Sequence, residues 1–463
     1  MFLSPLKQNN MRYPFFSAYW AERRKSWLIP IAMTFLLLQL LFLGNLSYLY
    51  GSLFKAGSRA HNMNVLAVDY DGASIGQSLS AAYSSAKGSG FPTLDYRSAS
   101  EYPDQASLRH AVCKGDYWAA IYTHPGATDR LVSAVEGDNS TAYNPNDTIT
   151  YITNGIHYPV VTTSYLVTNL QQLIISASRI IYSVAGQDLL ASANLTNPDA
   201  LSALFNPITP TAIDIMPTKQ TPRVLLNTVT TVMPILMQFF FFMATDNISD
   251  HNGVYTKLRT WDVYIFRLVL TKLYTLMSGL ITTAYIWSFR EHWGIGTGKF
   301  FEMWMCFWLY CEINSLVLNT LLTTVIPMPF VPFFMLTWII MNITSTVYPF
   351  VLNAGFYRWG YALPAHNIWT VLVGIWSDGC ALKKDVALPI LFSWWVLGHI
   401  THAWATRRRC WMAEQAVEQD EKQTIPDNEL ISRPASRETE NAATETEGTD
   451  NEAMNKRREN AQA

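Results

Sequence analysis

The chain alternates long apolar segments with polar ones, and the first apolar segment starts near the N-terminus. No charged residue lies between Lys25 and Lys55, so this segment exceeds the roughly 20 apolar residues that a membrane-spanning helix needs. A cleaved signal peptide is the alternative, but its apolar core would be only about 7–15 residues long. Five more apolar segments follow at about 224–244, 263–288, 301–326, 329–351 and 387–406. The pattern predicts a polytopic α-helical membrane protein with six transmembrane helices, the first over residues 27–50.

Residues 51–222, between the first two predicted helices, have a different pattern. Short β-rich runs ("VLAVDY", "YWAAIYTH" and "TITYIT") alternate with stretches of helical spacing near 76–87 and 101–114. A long amphipathic stretch from Val160 to about Ser192 follows, and we expect its last helix to lead back toward the bilayer. The region is predicted to be an α/β domain, followed by transmembrane helices 2–6 over residues 223–406.

Basic residues indicate the orientation of the helices, because short cytoplasmic segments carry an excess of Lys and Arg. Arg23, Arg24 and Lys25 precede the first predicted helix, and arginines 407–409 follow the sixth. Both termini are therefore expected in the cytoplasm, and the α/β domain is expected to be extracytoplasmic. Three N-glycosylation sequons lie in that domain and agree with this orientation. Their acceptor residues are Asn139, Asn146 and Asn194.

Composition excludes several classes of protein. Hydrophobic residues make up 49% of the chain and charged residues only 15%, while the net charge of −2 gives no reason to expect a nucleic-acid partner. Five scattered cysteines are too few for a disulfide scaffold or a cysteine zinc site. Pairing of Cys113 with Cys380 stays open. His399 and His402, spaced i and i+3, lack an evident third ligand, so we expect neither metal nor cofactor.

The sequence from Gly72 to Gly76 spells G-x-S-x-G around Ser74, the pattern of a hydrolase nucleophile elbow. Such hydrolases build part of the oxyanion hole on an earlier strand, and only about 20 residues separate Ser74 from the first predicted helix. The alternative is a tight strand-to-helix turn in which Ser74 or Asp71 caps the helix. We favour the turn, and we expect that the protein is not an enzyme.

Polar residues inside the apolar segments are the main candidates for function. Glu312, Ser315 and Asn319 share one face of the fourth predicted helix, and an acid at that depth costs about 2.5–3.5 kcal/mol. Either this stripe is a transport path or it holds helices together by hydrogen bonds. Arg267 and Lys272, in the third predicted helix, are expected to reach toward the cytoplasmic headgroups.

The segment after the fifth predicted helix is unusually aromatic for a loop. It contains "FYRWGYALPAHN", and residues 364–376 are long enough for a helix lying in the membrane interface but too short to cross. Residues 356–386 are therefore predicted to form an outer interfacial segment. Four aromatic side chains suit the headgroup region, namely Tyr357, Trp359, Tyr361 and Trp369.

Together with "AVDYDGASIG", "DYWAAIYTHPGAT" and "TITYITNG", that segment resembles the fungal nitrosoguanidine-resistance family of membrane proteins over about residues 20–410. Predicted helices 2–6 are in turn similar to type-2 ABC exporter permeases and to the phage-infection-protein group. The resemblance implies resistance to a toxic alkylating agent, by export or by altered membrane lipid, at the plasma membrane or an endomembrane. Five positions match the family's final motif, and anchoring the interfacial helix is their alternative role: Arg358, Tyr361, Pro364, His366 and Asn367.

The leading hypothesis is thus an ABC-2-like permease acting on a toxic small molecule or a membrane lipid. No nucleotide-binding motif is recognised, so it would lack its own ATPase, and analogy with permease halves suggests a homodimer. The alternative is a non-transporting scaffold or regulator whose outer domain binds a partner.

Both tails are expected to be cytoplasmic. Residues 1–26 form a short basic and aromatic lead, and residues 407–463 form an acidic tail that lacks an apolar period and is expected to be disordered. Cys410 directly follows three arginines and is a candidate for palmitoylation. Ser436, in "SRPASR", is a candidate for phosphorylation.

Overall fold

The computed structural model describes residues 15–138, 143–217, 225–290, 293, 296–380 and 384–431. The described helices, in chain order, are α1 Ala18–Ala21, α2 Arg24–Leu53, α3 Ser74–Ala86, α4 Gln105–Lys114, α5 Ala127–Glu136, α6 Pro159–Val161, α7 Thr168–Val184, α8 Gly186–Ser192, α9 Pro198–Phe205, α10 Val229–His251, α11 Val254–Lys257, α12 Thr260–Ser288, α13 Thr297–Thr324, α14 Val331–Val347, α15 Pro364–Trp376 and α16 Lys384–Ile431. The described strands are β1 Asn64–Asp69, β2 Thr93–Arg97, β3 Ala119–Thr123, β4 Ile149–Thr153 and β5 Pro210–Asp214.

Five described helices are long and apolar enough to cross a membrane, namely α2, α10, α12, α13 and α16. Helix α14 is shorter, with 17 residues, which is the lower limit for a helix that spans the hydrocarbon core. It packs beside α2 and α10, and Asn45 of α2 donates a hydrogen bond to Thr337 of α14 over 3.2 Å. The chain is therefore a polytopic helical membrane protein, and α14 occupies the position of the predicted fifth transmembrane helix.

Helices α7 and α8 meet at a bend of 70° and are together apolar enough to be considered as a further span. However, α7 packs along α3, and its buried side chains, including Leu170 and Ile174, join the core on one side of the sheet. The amphipathic stretch thus belongs to the α/β domain. It is not the last element of the domain, because α9 and β5 follow it before α10.

The α/β domain is built on a five-stranded sheet with strand order β2-β1-β3-β4-β5. Strands β2, β1 and β3 are parallel and are connected by helices, whereas β4 runs antiparallel to β3 and β5 runs parallel to β4. Both faces of β1 are covered, since Leu66 and Val68 pack with Leu108 of α4 while Val65 faces the larger core. This explains the continuous apolar run of β1, which is typical of a buried parallel strand.

The glycines around Ser74 form a structural turn. Gly72 has a φ of 66°, and a Cβ at Gly76 would collide with the Asp69 carboxylate. That carboxylate accepts a hydrogen bond from Thr123 Oγ1 at 2.5 Å and one from the Gly72 amide at 3.1 Å. The residues of the motif are therefore held by β1 and β3.

Capping across this turn is reciprocal between two helices. Asp71 accepts hydrogen bonds from the backbone N–H (2.8 Å) and the hydroxyl (2.5 Å) of Thr128 at the start of α5. In return, Thr128 Oγ1 accepts a bond from the Ile75 amide in the first turn of α3. The N-cap of α3 is Ala73, which makes no side-chain capping bond. Neither Ser74 nor Asp71 caps α3, so that prediction is wrong.

The last membrane helix is longer than predicted. Helix α16 runs from Lys384 to Ile431 and does not end at residue 406, so residues 414–431, expected to be irregular, are helical. Residues such as Ala, Glu, Gln and Lys are strong helix formers, which accounts for the continuation in a polar sequence. Residues 432–463 lie outside the described part of the chain.

A disulfide joins Cys113 of α4 to Cys380, just after α15, across 267 residues of sequence. The α/β domain also contacts the loop after α14, where Arg59 and Asn62 donate hydrogen bonds to the Leu352 (3.2 Å) and Val351 (3.0 Å) carbonyls. The domain is thus fixed to the segment that carries α15.

The reciprocal caps predict unequal effects of two neighbouring substitutions. Asp71→Ala removes the cap of α5 and should lower the free energy of unfolding by about 1–2 kcal/mol. Ser74→Ala, at a residue that makes no capping bond, should change it by less than about 0.5 kcal/mol. Thermal unfolding of the purified full chain measures both. Equal destabilisation by the two substitutions would contradict this account of the turn.

Candidate functional site in the membrane helices

Helix α13 is the most enclosed of the five long apolar helices and carries the predicted polar stripe. Glu312 is 1% exposed, and Ser315 and Asn319 are also buried on the same face. Asn319 Nδ2 donates hydrogen bonds to Ser315, at 2.8 Å to its carbonyl and 3.2 Å to its hydroxyl. All three residues therefore face neighbouring helices and are shielded from lipid.

Glu312 is the centre of a group that we call the Lys272 cluster: Lys272 and Thr275 of α12, Glu312 of α13 and His399 of α16. The Lys272 ammonium forms an ion pair with Glu312 Oε2, and Thr275 Oγ1 donates a hydrogen bond to Glu312 Oε1. Lys272 Nζ also lies 2.9 Å from His399 Nε2. One cation thus binds groups on two other helices.

The hydrogen bonds of His399 define its protonation pattern. Because an ammonium group can only donate, His399 Nε2 must accept from Lys272. Its Nδ1 lies 2.8 Å from the Trp395 carbonyl, so this nitrogen carries the proton. An imidazole that faces an ammonium group is a poor metal ligand, and His402 packs instead against the Tyr264 ring. Within the described residues no group of three or more His, Cys, Asp or Glu is arranged to hold a metal ion.

A second group, the Arg267 cluster, lies toward the end of α10. Arg267 of α12 is buried and forms an ion pair with Asp246 of α10 at 3.2 Å. It also donates to Asn319 Oδ1 at 2.5 Å and to the hydroxyl of Tyr255 in α11, which in turn donates to Asp246. Arg409 of α16 lies 3.7 Å from the same Asp246 carboxylate. Asn319, at the C-terminal end of the polar stripe, therefore joins the stripe to the Arg267 cluster.

These contacts correct one expectation. Arg267 and Lys272 were expected to reach toward the headgroups, but both turn into the protein because α10 and α13 supply acids at matching depth. The sequence contained a signal that was missed. Asp246 lies just after the apolar run of α10 and Arg267 lies near the start of that of α12, and an antiparallel pair of helices brings such positions together.

The five residues of the outer motif lie around the start of α15 in different environments. Arg358 and Tyr361 are exposed, while Pro364 is the buried first residue of the helix, where its missing N–H costs nothing. Asn367 Nδ2 donates to the Tyr361 and Leu363 carbonyls, each at 2.8 Å, and so ties the preceding turn to the helix. His366 Nδ1 lies 3.2 Å from the Ser345 carbonyl of α14.

Helix α15 itself is largely buried inside the protein. It packs against α13 and α14, and Asn342 Oδ1 of α14 accepts a hydrogen bond from the Ala365 amide. Trp369, expected among the headgroups, is only 1% exposed, and Tyr357 is also buried. The aromatic residues of the segment therefore divide into core residues, namely Tyr357, Trp369 and Trp376, and exposed ones, namely Phe356, Trp359 and Tyr361.

Two cavities lie near these residues. One has a volume of about 370 Å³ and lies beside α13, and the other has a volume of about 590 Å³ and lies beside α15. The smaller space is a groove between α13 and α16, lined by Thr320 and Thr401, whose hydroxyls are 3.1 Å apart. The larger one, which we call the outer cavity, lies between the α/β domain, α15 and the start of α16.

A family model described as "Protein of unknown function (DUF3533)" matches residues 34–400. This chain belongs to the DUF3533 family. The match includes the α/β domain and the whole Lys272 cluster. The helices described above make this DUF3533 member a multi-pass membrane protein.

One curated relative is the uncharacterized endoplasmic reticulum membrane protein YJR015W of Saccharomyces cerevisiae. It is 27% identical over 164 residues, which cover 34% of this chain and 32% of the yeast protein. The chain thus spans about a third of the length of the curated relative it matches. No solved structure matches the chain.

The candidate modification sites have different positions. Asn146 and Asn194 are exposed on the α/β domain, whereas Asn139 and Ser436 lie outside the described residues. Cys410 is only 2% exposed, so its thiol is not accessible for palmitoylation in this structure. The reason is that α16 turns this side chain into the protein, a feature that the adjacent arginines did not reveal.

The Lys272 cluster predicts a strong dependence of stability on paired charges. Lys272→Met leaves the buried Glu312 carboxylate without its ion-pair partner and should lower the free energy of unfolding by about 3–5 kcal/mol. Glu312→Leu should cost less, because the Lys272 side chain is 29% exposed and keeps its contact with His399. The double variant removes both charges and should unfold at a higher temperature than Lys272→Met. Thermal unfolding in detergent measures this, with Thr275→Val as a control that removes only a neutral donor. If the double variant loses as much stability as the two single variants lose together, the two residues do not pair.

His157 in the outer cavity predicts a pH dependence. Burial, with a smaller contribution from the nearby His366, lowers the pKa of His157 from 6.5 to about 3. The unfolded chain therefore binds a proton below pH 6.5 that the folded chain does not, and stability falls as the pH falls toward 3. Since the ring is only half-buried, we expect a loss of about 1–2 kcal/mol between pH 7 and pH 5.

The control for this prediction is His157→Phe, which keeps a ring against Trp118 but cannot titrate. The variant should lose less stability than the wild type over the same pH range in thermal unfolding. An identical pH dependence in both proteins would contradict the assignment to His157.

Proposed function

We propose that this protein is a membrane permease that exports a toxic small molecule or redistributes a membrane lipid, and that it works without an ATPase of its own. The observation that carries the proposal is the Lys272 cluster, in which an ion pair and a neutral imidazole meet between α12, α13 and α16. The resemblance to nitrosoguanidine-resistance proteins supplies the expected phenotype.

Electrostatics favours a functional role for the cluster over a purely structural one. Replacing a buried ion pair by apolar residues of similar size is often neutral or stabilising, so such a pair is weak evidence for stability. Charged residues within membrane helices typically mark substrate or proton pathways. The polar stripe of Glu312, Ser315 and Asn319 extends this environment along α13 to the Arg267 cluster.

We propose that the Lys272 cluster acts as a two-state element. Lys272 faces an acid on α13 and a neutral imidazole on α16, and it can bind one more tightly when the other moves away. A proton on Glu312 would cancel the attraction to α13 and leave His399 as the stronger acceptor. We expect this exchange to change the spacing of α13 and α16, on either side of the groove between them.

The proposed orientation has the α/β domain outside the cytoplasm. A disulfide such as Cys113–Cys380 forms in oxidising compartments, and basic residues flank the cytoplasmic ends of α2 and α16. The endoplasmic reticulum location of the yeast relative favours an endomembrane alongside the plasma membrane. Pairing of two copies, as in permeases, is part of the same proposal.

The test is transport by the purified protein in liposomes, with an alkylating agent or a labelled lipid as cargo. Wild type is compared with Lys272→Met/Glu312→Leu, with and without an imposed pH gradient. We expect movement by wild type and at least a tenfold loss in the double variant, because it retains the fold but has no charge to exchange. Dependence on the gradient would identify protons as the energy source.

Asn314→Leu is the matched control. Asn314 is a buried polar residue of α13 that accepts a hydrogen bond from Trp338 Nε1, and it is not part of the Lys272 cluster. This control should retain transport. Equal transport by the wild type and the double variant would contradict the proposal. No movement by the correctly folded wild type would favour the scaffold, and capture of partners by the α/β domain would then be measured.

A further inference from the structure

The outer cavity is enclosed by four parts of the chain. Trp118, Asn154 and His157 come from the α/β domain, and His366 comes from α15, while residues after α14 and at the start of α16 complete the wall. Its volume of about 590 Å³ falls within the range of small-molecule binding sites, about 300–1,000 Å³. The disulfide at Cys380 holds the domain over this space.

The chemistry of the wall favours an uncharged ligand. Among the described residues that line the cavity there is no Asp, Glu, Lys or Arg, so nothing there neutralises a phosphate or an ammonium group. His157, stacked on Trp118, stays neutral at physiological pH because burial lowers its pKa. Aromatic rings, including Trp118 and Tyr158, supply much of the apolar surface.

One polar group in the wall lacks a partner. Asn154 is 8% exposed, and its side-chain oxygen accepts no hydrogen bond from the protein. A buried amide oxygen without a donor is costly. Protein atoms enclose this oxygen, so the Asn154 side chain must turn toward the cavity for a ligand hydroxyl to donate to it and relieve that cost. The cavity therefore combines apolar walls with one unused hydrogen-bonding position.

The cavity adjoins the groove between α13 and α16. Ile390 of α16 lines both the outer cavity and the groove between α13 and α16, and Ala362 of the groove is adjacent to Tyr361 of the cavity. Trp394 marks the junction, since its Nε1 donates to the Ala362 carbonyl at 2.8 Å. The groove is lined largely by apolar side chains, so a long apolar body can lie there while a polar head lies in the cavity.

We propose that the outer cavity binds an uncharged membrane lipid with a hydroxyl head, the class that includes sterols and diacylglycerols. The hydroxyl binds Asn154, and the apolar body lies between the aromatic walls and along the groove. This inference deepens the proposed function, on which it rests, by naming the class of cargo.

The experiment is binding of the fluorescent sterol dehydroergosterol to the full-length protein in detergent, followed by energy transfer from tryptophan. Unlabelled diacylglycerol and phosphatidylcholine are added as competitors. We expect saturable binding and competition by diacylglycerol, with phosphatidylcholine at least tenfold weaker because it has a charged head without a hydroxyl. If dehydroergosterol does not bind, direct saturable binding of a fluorescent diacylglycerol would assign the site to the diacylglycerol branch of the same class, and binding of neither lipid would overturn the proposal.

Asn154→Leu is the decisive variant. It should raise the dissociation constant about tenfold, the effect of one lost hydrogen bond, without lowering the unfolding temperature. Asn353→Leu is the matched control, because Asn353 is also buried without a side-chain partner but lies outside the cavity wall. It should bind like the wild type.

Unchanged binding by Asn154→Leu, or equal competition by phosphatidylcholine, would overturn the proposal. The outcome is independent of transport. Specific binding without movement in liposomes would support this site and contradict the permease function. Movement of cargo without any binding at Asn154 would support the permease function and contradict this site.

Discussion

The ion pair between Lys272 and Glu312 constrains the arrangement of the membrane helices. A buried charge without a partner costs several kcal/mol, so α12 and α13 must turn these faces toward each other. Close packing makes this possible: a Cβ at Gly279 of α12 would collide with the Trp308 backbone of α13. On the other side, Gly398 of α16 lies against Leu316, which brings His399 within reach of Lys272.

The part of the molecule that contains the α/β domain is organised by different forces. There the α/β domain, α15 and the loop after α14 are fixed by a disulfide, by hydrogen bonds to backbone carbonyls and by buried aromatic rings. The outer cavity therefore has uncharged walls, whereas the helix bundle contains the charged residues of the Lys272 and Arg267 clusters. In the proposed function, the cavity recognises the ligand and the charged residues of the helix bundle couple charge to movement.

The sequence predicted what depends on local pattern. Apolar length located the membrane helices, and the helical spacing near 101–114 corresponds to α4, which Gly115 ends with a φ of 76°. Strands β2 and β5 were missed because "TLDYR" is a polar edge strand and "PTAID" begins with proline. The partners of Arg267 and Lys272, and the burial of Trp369 and Cys410, depend on packing between distant segments, which no local pattern contains.

The central claim is that the charges of the Lys272 cluster serve movement of a cargo more than stability. It is tested most directly by growth of cells in an alkylating agent, comparing wild type with Lys272→Met/Glu312→Leu at equal amounts of folded protein in the membrane. The account predicts that the double variant is as sensitive as cells without the protein. Full resistance with the double variant would contradict it and leave the ion pair as a structural contact.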